Sequence, residues 1–443
     1  MTDTERRALD DGHTIAGAEA PAPAAFVASR EAGLARLADF LPRAGRAYAA
    51  RRNYDDGPGR HRSVSGLSPY IRHRLVSEAE VVDAALARHG SEAAAKFIDE
   101  VCWRTYWKGY LEHRPAVWDR YVADLAGLRA RLATDRELAA RYARAVGAAT
   151  GIAPFDAWVE ELTATGYLHN HARMWFASIW THTLRLPWQL GADFFLRQLI
   201  DGDPASNTLS WRWVVGLHTA GKTYLARPDN IARYTSERFP VVGDLAPIAE
   251  PEREPPLPAA RTLRTLSASP PPGPVTLLLT EDDLSPELWG VPVAAVTTII
   301  VLDATAAWPD LAPPVVAFRR AALADACARA ETHFARRPIL LSLTADSRAG
   351  DRASPAWDAT GTLVTAELPV GLTATAVRSW LQHQPGQPAL HELRNRWDAA
   401  FWPHARTGFF KLREAIPQAL AALGLPSPHS QAQADFDFGE GRA

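Results

Sequence analysis

Cysteine is scarce in this 443-residue sequence: Cys102 and Cys327 are far apart and lie outside any cysteine and histidine cluster. This excludes a disulfide framework and a structural zinc site built on a cysteine and histidine cluster, and is typical of a protein from a reducing cytoplasm. Long apolar runs are also missing, since 276–280 and 296–302 are far shorter than the about 20 residues that a membrane helix needs. The first residues lack the basic and apolar regions of a secretory signal. We therefore expect a cytoplasmic protein with no membrane contact and no metal site.

Lysine supplies only four of the 48 cationic side chains, and the net charge is −2. This small net value hides an asymmetry, because residues 29–240 carry 29 Lys and Arg against 23 Asp and Glu, which leaves 19 against 27 elsewhere. An excess of six positive charges permits attraction to a phosphate backbone, but it is weaker than that of a dedicated nucleic-acid module. The hydrophobic content of 47% excludes a wholly disordered chain.

The first half of the chain has the hydrophobic periodicity of helices. Apolar residues recur three and four positions apart at 78–88, 94–111, 156–164 and 170–184, with Gly and Pro near the ends of these stretches. The sequence therefore predicts a helical domain over 29–240.

The second half changes period after a proline-rich segment. Repeated proline at 241–274 forbids both helix and central strand, which predicts an extended linker between domains. The segments 1–28 and 426–443 lack any period and are predicted to be disordered ends. Between them, 275–425 alternates β-rich and helical stretches, which favours a small parallel α/β domain. The strands are expected at 275–280, 297–303, 338–344 and 362–368, with helices at 319–335 and 373–383 and a further helical stretch at 394–420.

One short motif suggests nucleotide binding. Residues 216–223 read GLHTAGKT, a formal match to the phosphate-binding P-loop, and 299–303 offers an apolar stretch that ends in Asp303. A working P-loop needs a strand before it and a helix after it, so that backbone N–H groups converge on phosphate. Because a helical block precedes this match, a P-loop nucleotide hydrolase is the less favoured hypothesis.

A denser group of polar and aromatic residues lies just upstream. Residues 165–174 read TGYLHNHARM, 199–207 read LIDGDPASN and 211–213 read WRW. Cations, carboxylates, an amide and indoles are costly to bury together unless they pair with one another or with a ligand. A bound polar cofactor with aromatic rings would satisfy them.

Together with YAARR at 48–52, VSGLSPY at 64–70 and FIDEVCWR at 97–104, these blocks resemble the flavin domain of the cryptochrome/photolyase family. The resemblance covers about 29–240, with the blocks in the family's order. It implies an all-helical FAD domain, a photolyase-like lyase acting on damaged DNA, and a set of site residues that can be named one by one.

The resemblance implies the FAD contacts. Tyr48 and the turn at 64–68 match positions that hold the diphosphate, where hydroxyl and N–H groups suit phosphate oxygens. Arg173 matches an arginine paired with a carboxylate beside the flavin ring, and Asn207 matches the residue facing flavin N5, where an amide tunes the cofactor. The implied cofactor-binding residues are Tyr48, Val64, Ser65, Gly66, Leu67, Ser68, Arg173, Asp201, Gly202, Asp203 and Asn207.

The family also passes electrons to the flavin through tryptophans. Trp211 and Trp188 match the inner and middle members, while the outer position, near Asp135, has no tryptophan. Trp158, Trp175 or Trp180 could take its place. The alternative is that these indoles only fill the core, which is the usual role of a single tryptophan.

Residues matching the family's contacts with a flipped-out pyrimidine dimer are largely present. Glu100 would hydrogen-bond the dimer and, with Asn207, Trp188 and Trp211, makes up the implied catalytic set. As an alternative, Glu100 is a solvated carboxylate on a helix face. The implied DNA or dimer contacts are Arg52, Glu100, Trp103, Arg104, Asn170, His171, Met174 and Trp213.

Three departures weaken the repair hypothesis. His171 stands where an arginine is usual, which replaces a fixed fork of donors with a group that titrates near neutrality. Val64 stands where a hydroxyl is usual. The 52–65 loop is longer than usual and carries Asp55 and Asp56, an unfavourable charge near DNA.

The α/β domain that precedes the flavin domain in this family is missing from its usual place. The stretch 318–327 resembles a helix of the family's antenna domain, so we expect a rearranged chain with that domain at 275–425. No glycine-rich fingerprint follows 275–280, and any antenna chromophore stays unknown. The primary hypothesis is light-driven repair of pyrimidine dimers. The alternative is a non-repairing cryptochrome-like photoreceptor that signals to a protein partner.

Overall fold

The computed structural model describes residues 26–308, 310–343, 362–384, 386 and 388–426. Most of the predicted disordered ends, 1–28 and 426–443, lies outside these residues. The fold class is confirmed, because a helical region is followed by a small parallel five-stranded sheet with helices. No helix within the described part of the chain is both long and apolar enough to cross a bilayer.

Helices fill the first region, as the periodicity predicts. The two predicted helices at 78–88 and 94–111 are one long element, bent at Gly90, where φ is +70°. The helices are α1 (Arg30–Phe40), α2 (Arg46–Arg51), α3 (Ser68–Arg72), α4 (Glu78–His113), α5 (Ala116–Thr134), α6 (Arg136–Val146), α7 (Ala153–Thr165), α8 (Asn170–Ser178), α9 (Trp188–Gln198), α10 (Pro204–Val214) and α11 (Pro228–Tyr234).

Local chemistry fixes the start of α4, the helix that carries several predicted site residues. The Ser77 hydroxyl accepts from the Glu80 N–H at 3.2 Å, and the Glu80 carboxylate accepts from the Ser77 N–H at 2.9 Å. This reciprocal capping satisfies two N–H groups that an isolated helix start would leave unpaired. The segment predicted as one helix at 170–184 instead continues α8 with a π-helical turn at Ile179–Thr183.

The second region is a parallel sheet in the order β3-β2-β1-β4-β5. Four strands fall where the sequence predicts them, and the short edge strand β5 is an addition. The elements are β1 (Val275–Leu279), β2 (Val296–Asp303), α12 (Pro313–Phe334), β3 (Ile339–Ser342), β4 (Thr362–Ala366), α13 (Leu372–Gln382), β5 (Leu390–Leu393), α14 (Arg396–Phe401) and α15 (Phe409–Ala422).

Each face of the sheet has its own core, since successive side chains of a strand point to opposite faces. Leu277 packs into the large core that the sheet shares with the helical region, whereas Leu278 packs with Val377 and Trp380 of α13. Because both faces of the central strand are covered, β1 is buried along its whole length and apolar except at Thr276, as is typical of buried parallel strands.

The carboxyl end of β1 packs against α3 of the helical region. Arg72 Nη1 donates to Asp282 Oδ1 at 2.7 Å, and the His73 ring contacts the Glu281 carbonyl oxygen at 2.6 Å. Ligands of open α/β sheets bind at the carboxyl ends of the strands. At β1 this end is covered by the helical region, so the contact between the two regions replaces a ligand crevice there.

The proline-rich segment 241–274 forms no helix, and its only bridge joins Ser267 to β5. Its side chains are nevertheless anchored on both regions. Arg212 of α10 forms an ion pair with Glu254, and Arg264 donates to Glu392 of β5 at 2.6 Å. The segment therefore runs along the protein surface with fixed contacts.

Candidate functional site

A partly buried ion pair joins α8 to the turn between α9 and α10. Arg173 donates to both carboxylate oxygens of Asp201, at 3.1 and 2.9 Å, and its Nε donates to the Leu168 carbonyl oxygen. Burial would raise the pKa of Asp201, but the charge and hydrogen bonds of Arg173 hold it below its usual value. Asp201 is therefore an anion at neutral pH, and the structure brings together this predicted pair.

Gly202 and Asp203 continue the turn. A side chain at Gly202 would lie 2.9 Å from the Leu199 carbonyl oxygen, so only glycine fits. Asp203 caps α10, because its carboxylate accepts from the Ser206 N–H at 2.7 Å, and it also lies 3.8 Å from Arg72. Asp203 thus has a structural role, and its predicted FAD contact stays a prediction.

Asn207, predicted to face flavin N5, lies one helical turn beyond Asp203. Its side chain is buried, and its Nδ2 donates to the Ala192 carbonyl oxygen at 2.8 Å. This bond fixes the orientation of the amide and leaves its carbonyl oxygen for another partner. The role of Asn207 beside a flavin stays a prediction.

The predicted diphosphate turn borders a cavity of about 670 Å³. Val64, Ser65 and Gly66 line it, and Gly66 has a left-handed φ of +61°. Tyr48 and Leu67 are buried, and Ser68 begins α3.

The rest of the cavity wall suits a dinucleotide. Three arginines, which the sequence analysis missed, supply cations for a diphosphate, and aromatic rings supply apolar contacts. The volume of the cavity falls within the range of about 300–1,000 Å³ that is typical of ligand pockets. Tyr167 lies between the cavity and the pair of Arg173 and Asp201. It lines the cavity, and its ring centroid lies 5.5 Å from the Arg173 guanidinium. The residues that line the cavity therefore fit FAD. The lining residues beyond those predicted from the sequence include Arg36, Arg43, Arg62, Phe26, Tyr167 and Phe318.

The predicted dimer-contact residues lie on α4, α8 and α10 and next to α2. Arg52 donates to the Glu100 carboxylate at 2.7 Å, and burial raises the pKa of Glu100. Asn170 is exposed, Met174 is half-buried and Trp213 stacks on Tyr224 with 5.6 Å between ring centroids. Arg104 contributes a buried Nη1 with no hydrogen-bond partner among the described residues.

Trp103, the remaining predicted dimer contact, has one face covered by the C-terminal helix α15. Its ring stacks on Phe409 with 3.8 Å between centroids and 10° between planes. Arg413 adds an ion pair to Asp99 of α4 at 3.3 Å. This contact joins segments that are far apart in the sequence, and such a contact leaves no mark in local periodicity. Phe410, the next residue of α15, is 56% exposed.

Two expectations about charge are wrong. His171 stacks on Trp175 and its Nδ1 contacts the Asn53 carbonyl oxygen, and burial lowers its pKa to about 4, so it is neutral rather than titrating near neutrality. Asp55 is fully buried and accepts from Trp158 Nε1 at 3.1 Å and from Arg238 at 2.6 Å. It anchors the long 52–65 loop instead of repelling DNA.

The tryptophans implied in electron transfer are buried. Trp211 has ring contacts with Trp180, at 6.2 Å between centroids, and a side chain at Gly191 would clash with its indole. Trp188 stacks on Tyr121 at 5.7 Å. Their roles as inner and middle members stay predictions.

The P-loop hypothesis is wrong. The match at 216–223 follows helix α10 rather than a strand, and residues 222–227 are not helical. Gly216 and Gly221 both have φ near +80°, as in turns. Backbone N–H groups therefore do not converge at a helix start there.

Part of the helical region matches a known protein family. The family model described as the FAD binding domain of DNA photolyase matches residues 97–238. The deoxyribodipyrimidine photo-lyase of Streptomyces griseus is 34% identical over 209 residues, 43% of this chain and 44% of that protein. The Thermus thermophilus enzyme of the same name is 34% identical over 194 residues, 44% of each chain.

Among solved structures, a bacterial class III photolyase from Agrobacterium tumefaciens is 26% identical, with a TM-score of 0.39 over 47% of this chain and 43% of that chain. The chain spans less than half the length of the curated relatives that it matches.

Proposed function

We propose that the protein, whose residues 97–238 match the family model described as the FAD binding domain of DNA photolyase, repairs pyrimidine dimers in DNA under blue light. FAD, when bound and reduced, supplies the electron that light makes available. The proposal includes a cytoplasmic location, in contact with damaged DNA.

The cofactor would be held by the cavity wall and by the pair of Arg173 and Asp201. The turn at 64–68 and the arginines of the cavity wall would bind its diphosphate, while Arg173 and Asp201 would lie beside its ring. Because Asp201 is ionised and buried with Arg173, this pair supplies a fixed dipole that needs no reorganisation during the reaction.

The observation that most supports repair is the ion pair of Arg52 with Glu100, since Glu100 lies about one helical turn before Trp103 on α4. Residues three apart on a helix share a face, so the carboxyl group of Glu100 and the indole of Trp103 lie on the same side of α4. Burial raises the pKa of Glu100, whereas the charge of Arg52 lowers it. Arg52 would meet a flanking phosphate and hold Glu100 in place.

The test is illumination of the reduced protein with an oligonucleotide that contains a pyrimidine dimer, followed by measurement of restored pyrimidines. We expect light-dependent repair, and a loss of about 10²-fold or more in Glu100→Ala, the scale of removing one transition-state hydrogen bond. Glu92→Ala is the matched control, because Glu92 lies on the same helix with an 88% exposed side chain. Equal losses in both variants would contradict the role of Glu100.

The second candidate function is a photoreceptor, and the stacking of Phe409 on Trp103 favours it. With that indole face covered, a flipped base would have to displace α15 or use the other face. In a receptor, light would reduce FAD through Trp211 and Trp188, and the C-terminal region would pass the change to a protein partner. Absent repair with intact flavin photoreduction, and no gain of repair in Phe409→Ala, would favour this function.

A further inference from the structure

Two carboxylates and an imidazole meet where the 52–65 loop packs on α7. Asp55, His61 and Glu161 each place one ligand atom within 4.8 Å of the others. The side chains of Asp55 and Glu161 are 0% and 2% exposed, and that of His61 is 12% exposed. We propose that this cluster binds a divalent transition-metal ion of the zinc class, with Asp55 and His61 as ligands and Glu161 as the group that orients His61.

The hydrogen bonds of His61 leave one ring nitrogen available for the ion. Its Nε2 lies 2.6 Å from Glu161 Oε1, and a carboxylate only accepts, so Nε2 carries the hydrogen. Its Nδ1 is buried and has no hydrogen-bond partner among the described residues. This is the carboxylate and histidine arrangement that orients metal-binding imidazoles.

The distance between His61 Nδ1 and Asp55 Oδ1 suits a shared ion. The two atoms are 3.7 Å apart, which is too long for a hydrogen bond. It is close to the roughly 3.4 Å between two ligands that each lie about 2.1 Å from a tetrahedral zinc ion.

The other contacts of Asp55 orient that oxygen toward His61. Its Oδ2 takes the hydrogen bonds from Trp158 and Arg238, while Oδ1 accepts from the Gly57 N–H at 3.1 Å. The carboxylate is therefore held before any ion binds. Two carboxylates face one guanidinium in this cluster, and a divalent cation offsets the remaining negative charge.

His169 supplies an independent sign of a missing partner. Its side chain is completely buried, and its Nδ1 accepts from the His171 N–H at 3.2 Å, so the neutral ring carries its hydrogen on Nε2. That Nε2 has no hydrogen-bond partner among the described residues, although its ring lies 5.7 Å from the His61 ring. A water on the ion would accept this hydrogen bond.

The types of ligand atom indicate the class of ion. The cavity allows the ion to reach the site from outside. Calcium and magnesium prefer sites made of oxygen alone, whereas a mixed imidazole and carboxylate site suits zinc and its neighbours. His61 and Glu161 line the 670 Å³ cavity, so an ion and its water ligands can enter without unfolding. Bound there, the ion would fasten the long loop to α7. This inference does not depend on DNA repair.

The test uses the FAD-loaded protein without an affinity tag, stripped with a chelator and then titrated with Zn²⁺ in equilibrium dialysis. We expect one bound zinc per chain, lost in His61→Ala and weakened about 10- to 100-fold in Glu161→Gln, the usual effect of removing an orienting carboxylate. Asp56→Asn is the matched control, because Asp56 lies in the same loop and pairs with Arg51 and Ser63.

Flavin content and circular dichroism check that each variant is folded. Zinc X-ray absorption should show nitrogen and oxygen neighbours without sulfur. Two results would overturn the proposal: no zinc retained by the folded wild-type protein, or equal zinc affinity in wild type, His61→Ala and Glu161→Gln.

Discussion

Glu112 of α4 is buried in the contact between the two regions and makes the stability of the folded protein depend on pH. Its side chain is 4% exposed, and its Oε1 accepts from the Val370 N–H at 2.6 Å. Burial, reinforced by the charge of Glu367, raises the pKa of Glu112 to about 7 from the ordinary 4.5. We therefore expect Glu112→Gln to stabilise the protein above neutral pH.

The sign follows from proton binding. Between about pH 4.5 and 7 the folded protein keeps a proton on Glu112 that the unfolded chain has lost, so stability falls as pH rises through this window. The two pKa values differ by about 2.5, and at about 1.4 kcal/mol per pH unit this gives an upper limit of about 3.5 kcal/mol. Glutamine mimics the protonated acid and keeps an acceptor oxygen for the Val370 N–H, so the variant escapes this loss.

The assay is thermal unfolding of wild type and Glu112→Gln at several pH values between 5 and 8. The advantage of the variant should grow with pH and reach a few degrees, since about 1 kcal/mol shifts the melting temperature of a domain by about 2–4 °C. Glu414→Gln, which changes an exposed carboxylate on α15, is the control and should show no such trend. An advantage of Glu112→Gln over wild type that is equal at pH 5 and pH 8 would refute the reasoning.

Three further predictions concern the site. Asp201→Asn leaves the partly buried Arg173 without its counterion, which costs at most about 3–5 kcal/mol, and the purified variant should hold much less FAD by absorbance; unchanged FAD would contradict the pair's role. Gly191→Ala should lower the melting temperature and alter flavin photoreduction, because the added methyl group clashes with Trp211; wild-type behaviour would show that the helix can yield. Lys222→Ala should leave FAD content and repair unchanged, whereas loss of either would revive a phosphate role for 216–223.

The sequence predicts most of the fold because the apolar patterns are strong. The strands β1 and β2 are largely apolar, and both lie where predicted. The edge strand β5 was missed, since its four residues, LHEL, include two polar ones and are only partly buried. The bend at Gly90 was read as a gap between two helices, because glycine weakens a helical pattern whether or not the helix ends.

The candidate site is predicted less completely, because its contacts join distant segments. The Arg173 and Asp201 pair follows from a motif, and the structure brings the two together. The cover of Trp103 by Phe409 and the burial of Asp55 depend on tertiary packing, which no local pattern encodes. The lowered pKa of His171 has the same origin, since burial causes it.

The most direct measurement is the identity and amount of chromophore extracted from the protein purified in the dark. Absorbance and mass analysis should find FAD at about one molecule per chain, retained by the wild type and depleted in Asp201→Asn. A colourless protein that takes up no FAD on reconstitution, although folded by circular dichroism, would contradict the claim that its helical region is built around a flavin.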